Sequence, residues 1–233
     1  MPERPWRVAV LDSGVGRLPA PAVIRVIRFA QKGDRILEYP PVDDPIGHGT
    51  TVTDIIASTC RPVELLIAQV LNERARCTAA TLAFAIEWAL RERVDLVHCS
   101  LGLAHDRAVL RTAIAAAITA GVLVVAAAPA RGLTTYPASY PGVIRATGDA
   151  RCGREQVSSL EGTAVDFGAC PVHRVASGKF SRGASVGAAH LSRFIVTHAA
   201  AGLASAQAYE LVVRNASFQG PERHHLAASP CIS

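Results

Sequence analysis

Apolar residues fall in short, nearly unbroken runs along the chain, and between the runs they recur at helical spacing. Arg7–Leu11 is such a run and ends in Asp-Ser-Gly, which predicts a strand and then a turn. Leu65–Leu71 ("LLIAQVL"), Asp95–Ser100 ("DLVHCS") and Val122–Ala128 predict further buried strands, and Val143–Thr147 and Ala164–Phe167 predict shorter ones. Leu82, Ile86 and Leu90 repeat at helical spacing within Ala79–Arg93. Arg107–Ala120 closes on Gly121, a good residue just past a helix end, and Gly187 to about Ala200 is long and apolar. Each of these three predicts a helix, and Thr51–Ser58 predicts a shorter one. Val23–Phe29 fits a strand or a helix equally well. Periodicity is lost from Asn215, so one folded unit is expected over 1–214, with an irregular tail over 215–233.

Strands apolar on both faces, alternating with helices, predict an α/β fold in three layers: a mostly parallel β-sheet with helices on both faces. Sites in such sheets form at the carboxyl ends of strands. The residues after Leu11, Leu71, Cys99 and Ala128 are therefore where chemistry is expected.

Composition narrows the picture. The chain has 233 residues, 50% hydrophobic but only 5% aromatic, enough for one sizeable core with close helix–sheet packing. No run reaches 18 apolar residues, so no membrane helix is expected. "MPERPWRVAVLD" enters a strand without a hydrophobic leader; the expectation is a cytoplasmic protein with no propeptide ahead of the first strand. The net charge is +5, but the arginines are scattered rather than clustered with aromatics, so no nucleic-acid partner is expected. The 6 cysteines include no CxxC pair, which argues against a zinc ribbon and for free thiols. Asp43-Asp44 reads as solvated, and His98, His105, His173, His190, His224 and His225 read as core or surface residues. No metal and no cofactor is expected.

Three short stretches carry chemistry. Asp12 follows the first strand in "LDSG". His48 lies in "GHGTT" before a predicted helix. Ser185 lies in "SRGASVGAAH", where the long helix begins. Each alone is ordinary turn or capping sequence. Together they stand in the order Asp, His, Ser with α/β segments between them, one of the chain orders known for serine triads. A serine hydroxyl needs a base to take its proton as it attacks, and the base needs a carboxylate to hold its other nitrogen. At a helix N-terminus the Ser185 backbone N–H is also placed to meet developing negative charge.

The sequence resembles the subtilisin family of serine peptidases over about residues 7–203. The resemblance rests on "VAVLDSG", "GHGTT", "AIEWAL", "DLVHCSLG", "AAITAGVLVVAAA", "YPASYPGVIRATG" and "GASVGAAH". It implies Ser185 as nucleophile, His48 as general base and acid, and Asp12 as the orienting carboxylate. It also implies that Ser100, Leu101 and Gly102 pair with a protein or peptide substrate bound as an extended strand, and that Ala127 and Ala128 form the other side of the first pocket.

One departure stands out. The family's strand ends in Ala-Ala-Gly-Asn, whose asparagine amide donates to the oxyanion. Here "VVAAAPARG" puts Pro129 and Ala130 at the last two positions, and alanine has no side-chain donor. The Ser185 N–H remains, and the neighbouring Arg131 is a candidate replacement or a selector for an acidic side chain. Losing one donor of this kind costs about 10²–10³ in turnover.

The expected function is a serine endopeptidase dedicated to removing a leader or propeptide from a partner protein, of the kind that matures quinohemoprotein amine dehydrogenase subunits. The main alternative is a weak or inactive peptide-binding pseudoprotease. A transpeptidase ranks lower, because no insertion resembling a lid is visible to exclude water.

Overall fold

Alternate residues of the first strand face two different cores. Ala9 and Leu11 join one apolar cluster, while Trp6, Val8 and Val10 join another. That is the signature of a central strand covered on both sides. The structure, a computed structural model, describes residues 4–16, 22–130, 134–161, 164–175, 178 and 180–222.

In chain order the elements are β1 (Trp6–Asp12), β2 (Val23–Lys32), β3 (Arg35–Tyr39), α1 (His48–Ala57), β4 (Val63–Gln69), α2 (Ala79–Arg91), β5 (Leu96–Cys99) and α3 (Ala108–Thr119). They continue with β6 (Leu123–Ala127), β7 (Ile144–Gly148), β8 (Val157–Ser159), β9 (Phe167–Ala169), β10 (Val172–Arg174), β11 (Phe180–Arg182), α4 (Ala184–His198), α5 (Ser205–Asn215) and β12 (Phe218–Gln219). The main sheet runs β12-β8-β9-β7-β6-β5-β1-β4-β2-β3. Its centre, from β9 to β2, is parallel; β3 and β8 pair antiparallel with their neighbours. Helices α2 and α3 cover one face, and α1, α4 and α5 the other. The three-layer α/β arrangement read from the sequence is the observed one.

Several local readings change. Val23–Phe29 is a strand, and it continues to Lys32 as one arm of a hairpin with β3. The last long helix begins at Ala184 rather than Gly187, because Gly183, at φ 130°, already turns the chain into it. The strand expected over Ala164–Phe167 is displaced to Phe167–Ala169. The Asp166 carboxylate takes the Arg145 backbone N–H at 2.8 Å and its guanidinium at 2.5 Å, so pairing with β7 starts one residue later.

The segment from Asn215 is not wholly irregular. Phe218–Gln219 pairs in parallel with Ser158–Ser159, and the Arg151 guanidinium lies 5.2 Å from the centre of the Phe218 ring. The same guanidinium donates to the Gly220 carbonyl at 2.8 Å. No described helix is long and apolar enough to cross a membrane.

Candidate active site

Asp12 ends β1 at the carboxyl edge of the sheet and is fully buried. Its carboxylate accepts the Ser13 backbone N–H at 2.6 Å and the Ser100 hydroxyl. It also meets His48 Nδ1, at 2.8 and 2.9 Å from its two oxygens. His48 Nε2 lies 2.8 Å from Ser185 Oγ. Three residues from three distant segments thus form one continuous hydrogen-bond chain.

Local sequence explains how His48 arrives there. Asp44 collects the free N–H groups at the start of α1, accepting from Ile46 (3.1 Å), Gly47 (2.9 Å) and Thr50 (2.8 Å), and from the Thr50 hydroxyl (2.7 Å). Burial alone would raise the Asp44 carboxyl; the bonds from Thr50, Ser13 and Ile46 together outweigh it and hold it below the usual range. Asp44 is therefore a fixed part of the scaffold, not the solvated acid its sequence suggested. The turn after β1 is tied to α1 by Gly49 N–H donating to Ser13 Oγ (2.9 Å) and Gly16 N–H donating to Thr50 Oγ1 (2.9 Å). Gln69, the in-register neighbour of Asp12 on β4, donates to the Ser13 carbonyl at 2.8 Å.

Ser185 is the second residue of α4, so its backbone N–H has no partner within the helix. α4 sits directly on β7 because Gly187 has no side chain: a Cβ there would lie 2.2 Å from the Thr147 carbonyl oxygen. Gly183 at the N-cap brings no side chain to cap this helix end, and N–H groups at such an end can meet a negative charge.

The His48 imidazole is held above its ordinary pKa. The hydrogen bond that the imidazole N–H donates to Asp12 is the largest cause, burial opposes it, and the charges of Asp12 and Asp44 add to it. His98, on β5, is buried and bonded through Nδ1 to Ser192 Oγ at 2.9 Å; burial pushes it down to about 4. His190 is similarly pushed down to about 4, and its ring lies 6.0 Å from that of His173. His173 Nε2 itself lies 2.8 Å from an Asp54 carboxylate oxygen, a hydrogen-bond partner that its sequence position did not suggest.

The substrate-side expectations divide. Ser100 turns its hydroxyl inward to Asp12, which leaves only its backbone to face a ligand. Leu101 is 9% exposed and belongs to the core. Gly102 is exposed, and the Thr135 side chain, unremarked in the sequence, abuts it. Ala127 and Ala128 are buried at the end of β6, and Ala128 N–H donates to Ala146 at 2.8 Å. Ala130 is exposed and brings no donor side chain. Arg131 lies outside the described residues, as do His224, His225 and Cys231. The other five cysteines are unpaired. Among the described residues no three His, Cys, Asp or Glu side chains cluster to hold a metal ion.

The sequence is similar to known proteins. The model of the subtilase family matches residues 6–216. The chain is 30% identical over 174 residues to a thermostable alkaline protease of Halalkalibacterium halodurans, covering 70% of this chain and 46% of that one. It is also 30% identical over 145 residues to subtilisin BL of Lederbergia lenta, covering 58% of this chain and 52% of that one. The chain spans about half the length of the curated relatives it matches. With the family model covering nearly the whole described fold, this chain belongs to the subtilase family.

Proposed function

We propose that the protein is a serine endopeptidase in which Ser185 attacks a peptide carbonyl, His48 takes its proton and passes it to the leaving amine, and Asp12 holds the imidazole. The observation that carries this is the unbroken chain from Asp12 through His48 to Ser185, with spacings of 2.8 Å on both sides of the imidazole. The free Ser185 N–H supplies one oxyanion donor. An extended substrate would add alongside Ser100–Gly102, with its first side chain against Ala127 and Ala128.

The finer reading is a dedicated processing peptidase that removes a leader or propeptide from a partner, the maturation of quinohemoprotein amine dehydrogenase being one such task. Ala130 supports it: an enzyme short of one donor suits a substrate cut once. The unpaired thiols support a reducing, cytoplasmic compartment. The same alanine favours a second reading, a peptide-binding protein with little turnover.

The test is intact-mass labelling with a fluorophosphonate, comparing the native protein with Ser185→Ala and His48→Ala. A single adduct that needs both residues is the expected result. No adduct in folded protein, with or without a candidate leader peptide, overturns the hydrolytic reading in favour of the binding one.

A further inference from the structure

The β2–β3 hairpin outruns the sheet. β4 stops pairing with β2 at Gln69, opposite Arg28, yet β2 and β3 remain paired out to Lys32 and Arg35. The hairpin therefore stands beyond the carboxyl edge as an arm. The loop after β4, from Leu71 to Cys77, faces it. Two cavities lie between them, of about 280 and 500 Å³, and they share Arg28, Leu71 and Asn72. They adjoin at these three residues, the smaller reaching Val42 and Pro45 and the larger reaching Thr78 and Thr81 at the start of α2, and together they make the cleft between arm and loop.

Asp12, Gln69 and Arg28 are in register across β1, β4 and β2. In-register residues of parallel strands project to the same face, so Arg28 is on the side of the sheet that carries His48. Two strand spacings separate Arg28 from Asp12, roughly 10 Å, or about three residues of extended peptide. An extended peptide segment of that length would span from the triad carboxylate to this cleft.

The cleft's charge is unbalanced. Four other arginines with restricted exposure meet a carboxylate: Arg7 with Glu64, Arg145 with Asp166, Arg151 with Asp149, and Arg193 with Glu155. Arg28 pairs with no carboxylate among the described residues, and its Nε is shielded from solvent without an acceptor. Its guanidinium is held over the Tyr39 ring at 4.9 Å. The larger cavity adds Arg76 and the polar groups of Gln31, Thr78 and Thr81, with no acidic residue in its lining; Glu73 borders only the smaller one. A shielded guanidinium lacking an acceptor is matched best by a carboxylate, which a planar fork binds through two hydrogen bonds.

We infer that the cleft between the β2–β3 arm and the Leu71–Cys77 loop binds an acidic side chain of the peptide substrate, with Arg28 as the anchoring cation and Arg76 as the second. This rests on the peptide-directed reading of the site above. It adds a selectivity that the relatives' names do not specify: a substrate with Asp or Glu a few residues from the scissile bond.

The test is fluorescence anisotropy on the full chain carrying Ser185→Ala, so that binding is read without cleavage. The probes are fluorescein-labelled decapeptides of Ala, Leu and Ser in which each position in turn carries Asp or Asn. One Asp position is expected to bind at least about tenfold more tightly than its Asn counterpart. Adding Arg28→Gln abolishes that preference, and Arg76→Gln, on an exposed loop where folding is not at stake, reduces it several-fold. Equal binding of Asp and Asn peptides at every position, or a preference unchanged in either variant, overturns the inference. Fluorophosphonate labelling of the native protein separates the two ideas. An Asp preference without labelling keeps the cleft and removes the hydrolysis, and labelling without the preference does the reverse.

Discussion

Gly49 presses its α-carbon against the turn at Gly14: a Cβ on residue 49 would stand 2.2 Å from the Gly14 carbonyl oxygen and 3.1 Å from Asp12 Cβ. The helix that carries His48 can approach Asp12 this closely only because residue 49 has no side chain. Gly49→Ala is expected to push α1 away by about 1 Å, enough to cost about 10² in kcat. Labelling rate and thermal unfolding, measured together, check this. A variant that folds and labels at the native rate would show that the contact does not set the His48 position.

In the proposed reading, Ala130 stands at the position where the family's asparagine amide would complete the oxyanion site. Ala130→Asn is expected to raise the rate of peptide hydrolysis, by up to about 10²–10³ if the new amide reaches the oxyanion. The measurement is kcat on a peptide substrate before and after the substitution. An unchanged kcat would mean that another group already fills the role.

The Asp12 bond raises the His48 pKa, and the base must be neutral to accept the Ser185 proton. Activity should therefore fall as pH drops through a value above the ordinary histidine pKa of about 6.5. In Asp12→Asn the main raising cause is gone, so the acid limb of the labelling rate should move to lower pH while the maximum rate falls by about 10⁴. An acid limb that stays in place would disconnect His48 from that titration.

His98 and His190 act in the opposite direction on stability. Each is buried in its neutral form, with a pKa pushed down to about 4. Between pH 6.5 and 4 the unfolded chain binds protons that the folded one does not, so stability is lost as pH falls across that window, on the order of 3 kcal/mol per histidine at most. Denaturant midpoints taken at pH 7, 5.5 and 4 read this loss directly. His190→Gln should flatten the profile, and an equally steep profile in that variant would move the cause elsewhere.

Much of this site was legible before folding. Asp12, His48 and Ser185 each sit where a strand ends or a helix starts, and those boundaries were marked by glycines and an abrupt end of apolar pattern. Helix α5 was not legible. Ala204, at its N-cap position, has no side-chain oxygen; only Gln207 reaches back to the Ala204 N–H, at 3.1 Å. Nor was the inward turn of Ser100, whose hydroxyl could as well have faced a substrate.

The sequence by itself determined the period of most core elements, the layers that such periods require and the residues that are candidates for the triad, because these depend on residue type and local spacing. Tertiary structure decided what faces what. The 2.8 Å contacts of His48, the Asp44 scaffold and the row from Asp12 to Arg28 join residues far apart in the chain. Such contacts depend on strand register and on the close approach that Gly49 and Gly187 permit, and no local pattern encodes either.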